Sequence, residues 1–224
     1  MQENTDTIFS EVDSYISSLL ASEDQVLQSI IQIIDANNWP QQSVSSNQGK
    51  FLQVLMKACN AKRVLEIGTY CGYSTIWMAR ALPPGGKMIT LEFDSQYAKV
   101  AEQKLNEAGL NDLVKIKQGK ALETLGSLAE ENEQPFDFIF IDADKPPYKE
   151  YFDFAVKLSR QGSIIVCDNV IRGGKVLDDK SNDEKVIGVK RLNESLKNDS
   201  RVTATIVQNV GSKEHDGMVI AVVK

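Results

Sequence analysis

RVLEIGTYCGYSTIWMARAL, residues 63–82, decides how the chain is read. Five residues of strand character run into a turn bounded by Gly68 and Gly72, and the apolar pattern then changes to helical spacing. A strand that passes through a turn into a helix opens a parallel sheet, because parallel neighbours must be joined by a crossover. The same unit recurs downstream. KMITLE (87–92), LVKIKQ (113–118), FDFIFID (136–142) and GSIIVCD (162–168) are short apolar strands, and segments 73–82, 95–108, 120–131 and 147–159 between them have helical periodicity. The expectation is an α/β fold with a mostly parallel sheet and helices on both faces.

After Asp168 comes the polar stretch RGGKVLDDKSNDE (172–184), then a helical segment over 184–197 and two last strands, RVTATIVQ (201–208) and GMVIAVV (217–223). Only a loop separates those two, so they are expected to pair antiparallel at one edge of the sheet. Upstream of Ala61 the pattern is helical throughout. Residues 7–37 predict two helices that end near Asn37-Asn38-Trp39-Pro40, and a third over 48–59 places Phe51, Leu52, Leu55 and Met56 on one side. The chain therefore reads as one domain over 1–224, with N-terminal helices over 1–60 and a sheet core over 61–224.

The 224 residues are 42% hydrophobic and 25% charged, and 25 Lys and Arg against 31 Asp and Glu leave a net charge of −6. An acidic globular chain argues against a nucleic-acid partner and for small substrates. The first residues, MQENTDTIFSEVDSY, lack the basic segment and apolar core of a signal peptide, and no apolar run approaches a membrane span. A cytoplasmic location without a membrane partner is expected. Cys59, Cys71 and Cys167 are scattered and odd in number, which suits free thiols, and with His215 as the single histidine any metal is expected on oxygen ligands.

Ligands of such sheets bind beyond the carboxyl ends of the strands. The acids there are Glu66, Glu92, Asp142 and Asp168. Glu66 lies inside the apolar run VLEIG, so its carboxylate needs a donor or a cation. The turn after it, G-T-Y-C-G, lacks the G-x-G-x-x-G pattern of a pyrophosphate site. A carboxylate there suits an ammonium, while the following helix start near Ser74 suits a carboxylate; S-adenosylmethionine carries both and no phosphate. Glu92, twenty residues after Gly72, is placed to accept hydrogen bonds from ribose hydroxyls. This feature is shared with nicotinamide sites, so an NAD-dependent oxidoreductase stays open, as does a non-catalytic protein that binds S-adenosylmethionine. Asp142 with Asp168 and Asn169 forms an oxygen-only set for Mg²⁺, Mn²⁺ or Ca²⁺, against the alternative of turn and capping acids.

LEIGTYCGYS (65–74), IDADKPPY (141–148) and VCDNVIRGG (166–174), with QGKFL (48–52) and DGMVIA (216–221), resemble the caffeoyl-coenzyme A and catechol O-methyltransferase family. The resemblance implies a seven-stranded Rossmann-like methyltransferase fold, in which the last strand is inserted antiparallel, and a homodimer. It implies that Glu66, Gly68, Ser74 and Glu92 bind S-adenosylmethionine, with Val44, Gly119, Ala121 and Asp142 near it. Asp142, Asp168 and Asn169 would hold a divalent cation, Mg²⁺ first among the choices, and Lys145 would be the general base toward a small phenol. Arg172 stands where many plant members have tryptophan, so a cation replaces an aromatic wall and an acidic phenol becomes a candidate substrate. The polar loop 175–184 is read as a lid or as a solvated loop.

Overall fold

The computed structural model describes residues 2–131, 134–211 and 215–224, with side chains from Thr7 onward. Three helices come first: α1 (Gln2–Leu20), α2 (Gln25–Ala36) and α3 (Ser46–Ala58). The alternating region follows as β1 (Arg63–Ile67), α4 (Tyr73–Ala79), β2 (Lys87–Glu92), α5 (Ser95–Glu107), β3 (Val114–Gln118), α6 (Ala121–Glu130), β4 (Phe136–Ile141), α7 (Tyr148–Lys157) and β5 (Ser159–Cys167). A 3₁₀ turn (Lys175–Leu177), α8 (Glu184–Leu196), β6 (Val202–Asn209) and β7 (Asp216–Val223) complete it. The helix starts carry their own signals. Asp24 accepts from the Leu27 N–H at the start of α2, and Ser45 and Gln48 form a reciprocal capping box on α3.

The seven strands pair in the order β3-β2-β1-β4-β5-β7-β6, and β7 is the single strand that runs against the others. This is the seven-stranded arrangement that the family resemblance implied. Residue alternation along the strands sorts the core into two layers. Val64, Phe138, Phe140 and Val166 face α2 to α5, while Leu65, Ile139, Ile141 and Ile165 face α6 to α8. The order of the last two strands follows from their side chains. β7 buries most of its residues, as an interior strand does, whereas Thr203 and Thr205 of β6 are exposed, as on an edge strand.

Two local features depart from the sequence reading. β5 begins at Ser159 rather than Gly162, because its pairing with β4 shifts register between Phe136 and Phe138. Polar residues fill that irregularity: the Ser163 hydroxyl donates to the Phe136 carbonyl at 2.7 Å, and Asp137 accepts from the Lys62 and Arg63 N–H groups and from Arg160 Nε. Such hydrogen bonding leaves no mark on apolar periodicity. The second departure is α1. Its apolar positions do not enter the core: Tyr15, Leu19 and Leu20 keep 64%, 60% and 66% of their surface exposed.

The interior strands bring the site together. In the parallel ladder Ile67 pairs with both Leu91 and Ile141, and Ile141 pairs with Cys167. The residues one step further, Glu92, Gly68, Asp142 and Asp168, therefore stand in a row at the carboxyl edge. Backbone hydrogen bonds continue into that row: Gly68 N–H to Leu91 O at 3.1 Å, Asp142 N–H to Ile67 O at 2.9 Å and Asp168 N–H to Ile141 O at 2.9 Å. Gly68 has φ +100°, and a Cβ built on it would lie 2.0 Å from the Asp142 carbonyl oxygen. No side chain fits there. Gly68→Ala is expected to cost on the order of 3 kcal/mol or more, from the backbone conformation together with the overlap. Thermal denaturation checks this, and a melting temperature equal to that of the parent would contradict it.

Candidate active site

One cavity of about 1550 Å³ opens along the carboxyl edge of the sheet. Single small-molecule pockets span roughly 300–1,000 Å³, so this space accommodates a cofactor and a substrate side by side. Val44, Gly68, Ser74, Glu92, Gly119, Ala121, Asp142, Lys145, Asp168, Asn169 and Arg172 all line it. Of the residues expected from the sequence, Glu66 alone does not.

Glu66 is fully buried behind the cavity wall. Ser74 Oγ donates to its Oε1 at 2.6 Å, while Thr75 and Thr90 hydroxyls donate to Oε2 at 2.5 and 2.6 Å. Burial pushes the carboxyl up to about 7; the three hydroxyls oppose this, and the charge of Asp142 adds to it. Glu66 thus reaches the cavity through Ser74, whose hydroxyl it orients. Glu92 is placed differently. Its Oε2 accepts from the Tyr70 N–H at 2.7 Å and its Oε1 from the Asp94 N–H at 2.8 Å, so the turn after β1 and the turn after β2 are clamped on one carboxylate. Desolvation raises its pKa. Tyr70 extends the clamp, donating from its hydroxyl to the Pro40 carbonyl at 2.8 Å and meeting the Tyr97 ring edge-on, with Trp39 on the other side of Tyr97. These contacts hold the loop that carries Val44 against the glycine turn.

At the other end of the cavity Lys145 Nζ lies 2.9 Å from Asp142 Oδ1 and against the Tyr148 hydroxyl. Asp168 is buried beside them, and its carboxyl rises to about 8 through burial and the neighbouring Asp142 charge, with Lys145 opposing. The ammonium is paired with Asp142, and its charge acts on Asp168 from farther away. Asn169 and Arg172 both adopt left-handed backbone, at φ 57° and 56°. Asp216, the first residue of β7, secures that shape by accepting from the Ile171 and Arg172 N–H groups at 2.8 and 3.0 Å. Arg172 Nε is buried without a hydrogen-bond partner among the described residues, as are Ser43 Oγ and Asn47 Oδ1 on the same cavity. Buried polar atoms of this kind are places for ligand groups.

The cavity also takes residues that the sequence reading passed over. Asp13 of α1 and Asn47 of α3 meet at the wall, where Asn47 Nδ2 donates to the Asp13 carbonyl at 2.9 Å. Gly188 of α8 packs so closely that a Cβ on it would lie 2.1 Å from the Lys145 carbonyl oxygen. The spacing of α8 gave no hint of this contact; an isolated glycine in a helix is the one available signal. By contrast, none of residues 173–184 lines the cavity, and Lys190 ties that loop to α8 through Asp179 at 2.7 Å. It is not a wall of the site.

The family model described as O-methyltransferase matches residues 16–222. The chain belongs to the O-methyltransferase family. It is 54% identical over 217 residues to a catechol O-methyltransferase of Niastella koreensis, covering 97% of this chain and 98% of that one. The O-methyltransferase TomG from Streptomyces achromogenes, solved with S-adenosylmethionine, superposes with a TM-score of 0.94 at 45% identity, over 98% of both chains. The O-methyltransferase of Bacillus cereus with S-adenosylhomocysteine gives 0.94 at 46% identity, over 97% of this chain and 99% of that one. This O-methyltransferase thus takes its methyl group from S-adenosylmethionine, which sets the nicotinamide reading aside. No helix among its described residues is long and apolar enough to cross a membrane.

Glu66 gives the ligand-free enzyme a pH dependence. An unfolded chain leaves this carboxyl near 4.5, so the folded state binds its proton more tightly. The stability it contributes is complete below about 4.5 and is lost as pH rises to about 7. Glu66→Gln is expected to flatten the fall in melting temperature between pH 5 and 8. An unchanged slope would contradict the assignment.

Proposed function

We propose that this enzyme methylates one hydroxyl of a small catechol-like phenol, with a divalent cation held by Asp142, Asp168 and Asn169 and with Lys145 as the proton acceptor. The observation that carries the proposal is the Lys145 ammonium hydrogen-bonded to Asp142 at 2.9 Å on a cavity wall that Asp168 and Asn169 also line. The donors fit a hard cation, because two carboxylates and an amide offer only oxygen. Burial, and after it the Asp142 charge, raises the pKa of Asp168, so a cation there would favour its ionised form. Mg²⁺ is the proposed ion, with Mn²⁺ or Ca²⁺ as substitutes.

When bound, the cation supplies a Lewis acid that makes a coordinated phenol easier to ionise. The residues do the rest. Lys145 accepts the phenolic proton at Nζ, and Asp142 holds that nitrogen at the cavity wall. Glu92, Ser74 and the Gly68 turn orient the methyl donor, with Gly119, Ala121 and Val44 around it, and the deep cavity keeps the oxygen and the methyl group aligned. The oxygen–methyl bond forms as the sulfonium–methyl bond breaks, and Lys145 carries away the proton.

The catechol name of the Niastella koreensis relative supports the substrate class. Arg172 refines it. Its unpartnered Nε suits a carboxylate on the ring or its side chain. The exposed apolar face of α1 supports a homodimer, to be read from the mass in solution. Three free cysteines suit the cytoplasm.

Two results test this function. Methyl transfer to a catechol is expected to vanish with excess chelator and return with Mg²⁺; full activity in chelator would sink the cation. Arg172→Ala is expected to raise KM about 10-fold for a carboxylated catechol and to leave a neutral one within about 2-fold. Equal effects on both would remove Arg172 from substrate selection.

A further inference from the structure

We infer that Tyr148 is a positioning residue for Lys145: its hydroxyl takes one N–H of the lysine and thereby directs the proton-exchanging position of Nζ into the cavity. The inference rests on Lys145 being the proton acceptor. It comes from counting hydrogens. Tyr148 is fully buried, and its oxygen lies 2.9 Å from the Asp168 carbonyl and 3.2 Å from the Ile141 carbonyl as well as against Lys145 Nζ. A phenol has one hydrogen to give, and a carbonyl can only accept. That hydrogen goes to a carbonyl, the nearer being that of Asp168, so the lone pairs of Tyr148 are left for the lysine.

The direction of this bond settles the lysine. Asp142 Oδ1, at 2.9 Å, takes a second N–H. A neutral amine then has both hydrogens engaged, and its lone pair occupies the remaining tetrahedral position. A protonated amine places its third hydrogen in that same position. Lys145 is buried except where it meets the cavity, so one fixed direction serves both protonation states. The Tyr148 ring adds a floor, with Nζ 4.4 Å from its centroid. Local sequence explains how the pair is made: Pro146 and Pro147 turn the chain, the Tyr148 N–H returns to the Lys145 carbonyl at 3.2 Å, and α7 starts with the tyrosine under the lysine.

Tyr148→Phe keeps the ring and removes only the oxygen. The experiment measures methyl transfer to 4-methylcatechol with S-adenosylmethionine and Mg²⁺, in the parent enzyme and in a Lys145→Ala background. In the parent, Tyr148→Phe is expected to lower kcat about 10- to 100-fold with both KM values within about 2-fold. In the Lys145→Ala background it is expected to change kcat less than about 2-fold, because the group it positions is gone. Any loss of stability accompanies the substitution in both backgrounds and cancels in the comparison. An equal loss in the two backgrounds, or a loss carried by KM, would make Tyr148 merely structural and overturn the inference. Unchanged kcat for Tyr148→Phe beside an inactive Lys145→Ala overturns this inference alone. Full activity of Lys145→Ala overturns the proton-acceptor assignment and this inference with it.

Discussion

Two carboxylates at the ends of neighbouring parallel strands raise one another's cost of ionising, and burial of either adds to it. The sheet forces that situation on Asp142 and Asp168, since Ile141 of β4 pairs with Cys167 of β5 and each acid is the next residue. Lys145 offsets one of them. Burial and the Asp142 charge raise the Asp168 carboxyl, while the Lys145 ammonium is held on Asp142 at the cavity wall. Burial makes such an arrangement costly unless its charges are paired, and groups perturbed in this way gather at functional sites.

Backbone proximity is the second requirement. Gly68 under the Asp142 carbonyl and Gly188 against the Lys145 carbonyl bring three segments closer than any side chain would permit. Carboxylates then lock the loops: Glu92 joins the turns after β1 and β2, and Asp216 holds the Asn169–Arg172 bend in its left-handed form. The reacting groups are therefore placed by contacts outside the cavity as much as by those within it.

The strands, their order of appearance and the acids that end them were legible in the sequence, because apolar periodicity and a terminal polar residue are local signals. Eleven of the twelve expected site residues line one cavity, and all of these but Val44, which lies between α2 and α3, stand at or after a strand end. What escaped depends on partners distant in sequence. Glu66 lies behind Ser74 because Thr75 and Thr90 converge on it from a helix and a neighbouring strand. The irregular start of β5 rests on Ser163 and Asp137, and the grip of Asp216 on the Arg172 loop spans more than forty residues. From the residues alone, β6 and β7 could be paired but not ordered; the family resemblance supplied the insertion. The helical periodicity of α1 is a local signal, but what covers its apolar stripe is not, and in the fold those side chains are exposed.

The insertion of β7 constrains the order of folding. β6 precedes it along the chain yet among the described residues pairs with β7 alone, and β5 has an open side until β7 enters between them. As a polypeptide emerges from the ribosome, β1 to β5 can assemble while β6 waits, with an unpaired sheet edge facing the crowded cell. Asp216 opens β7, so the bend bearing Asn169 and Arg172 is secured only when that strand arrives. A nascent chain stalled before β7 would hold a nearly finished sheet and an unfinished catalytic end, exposed to chaperones at its most adhesive edge.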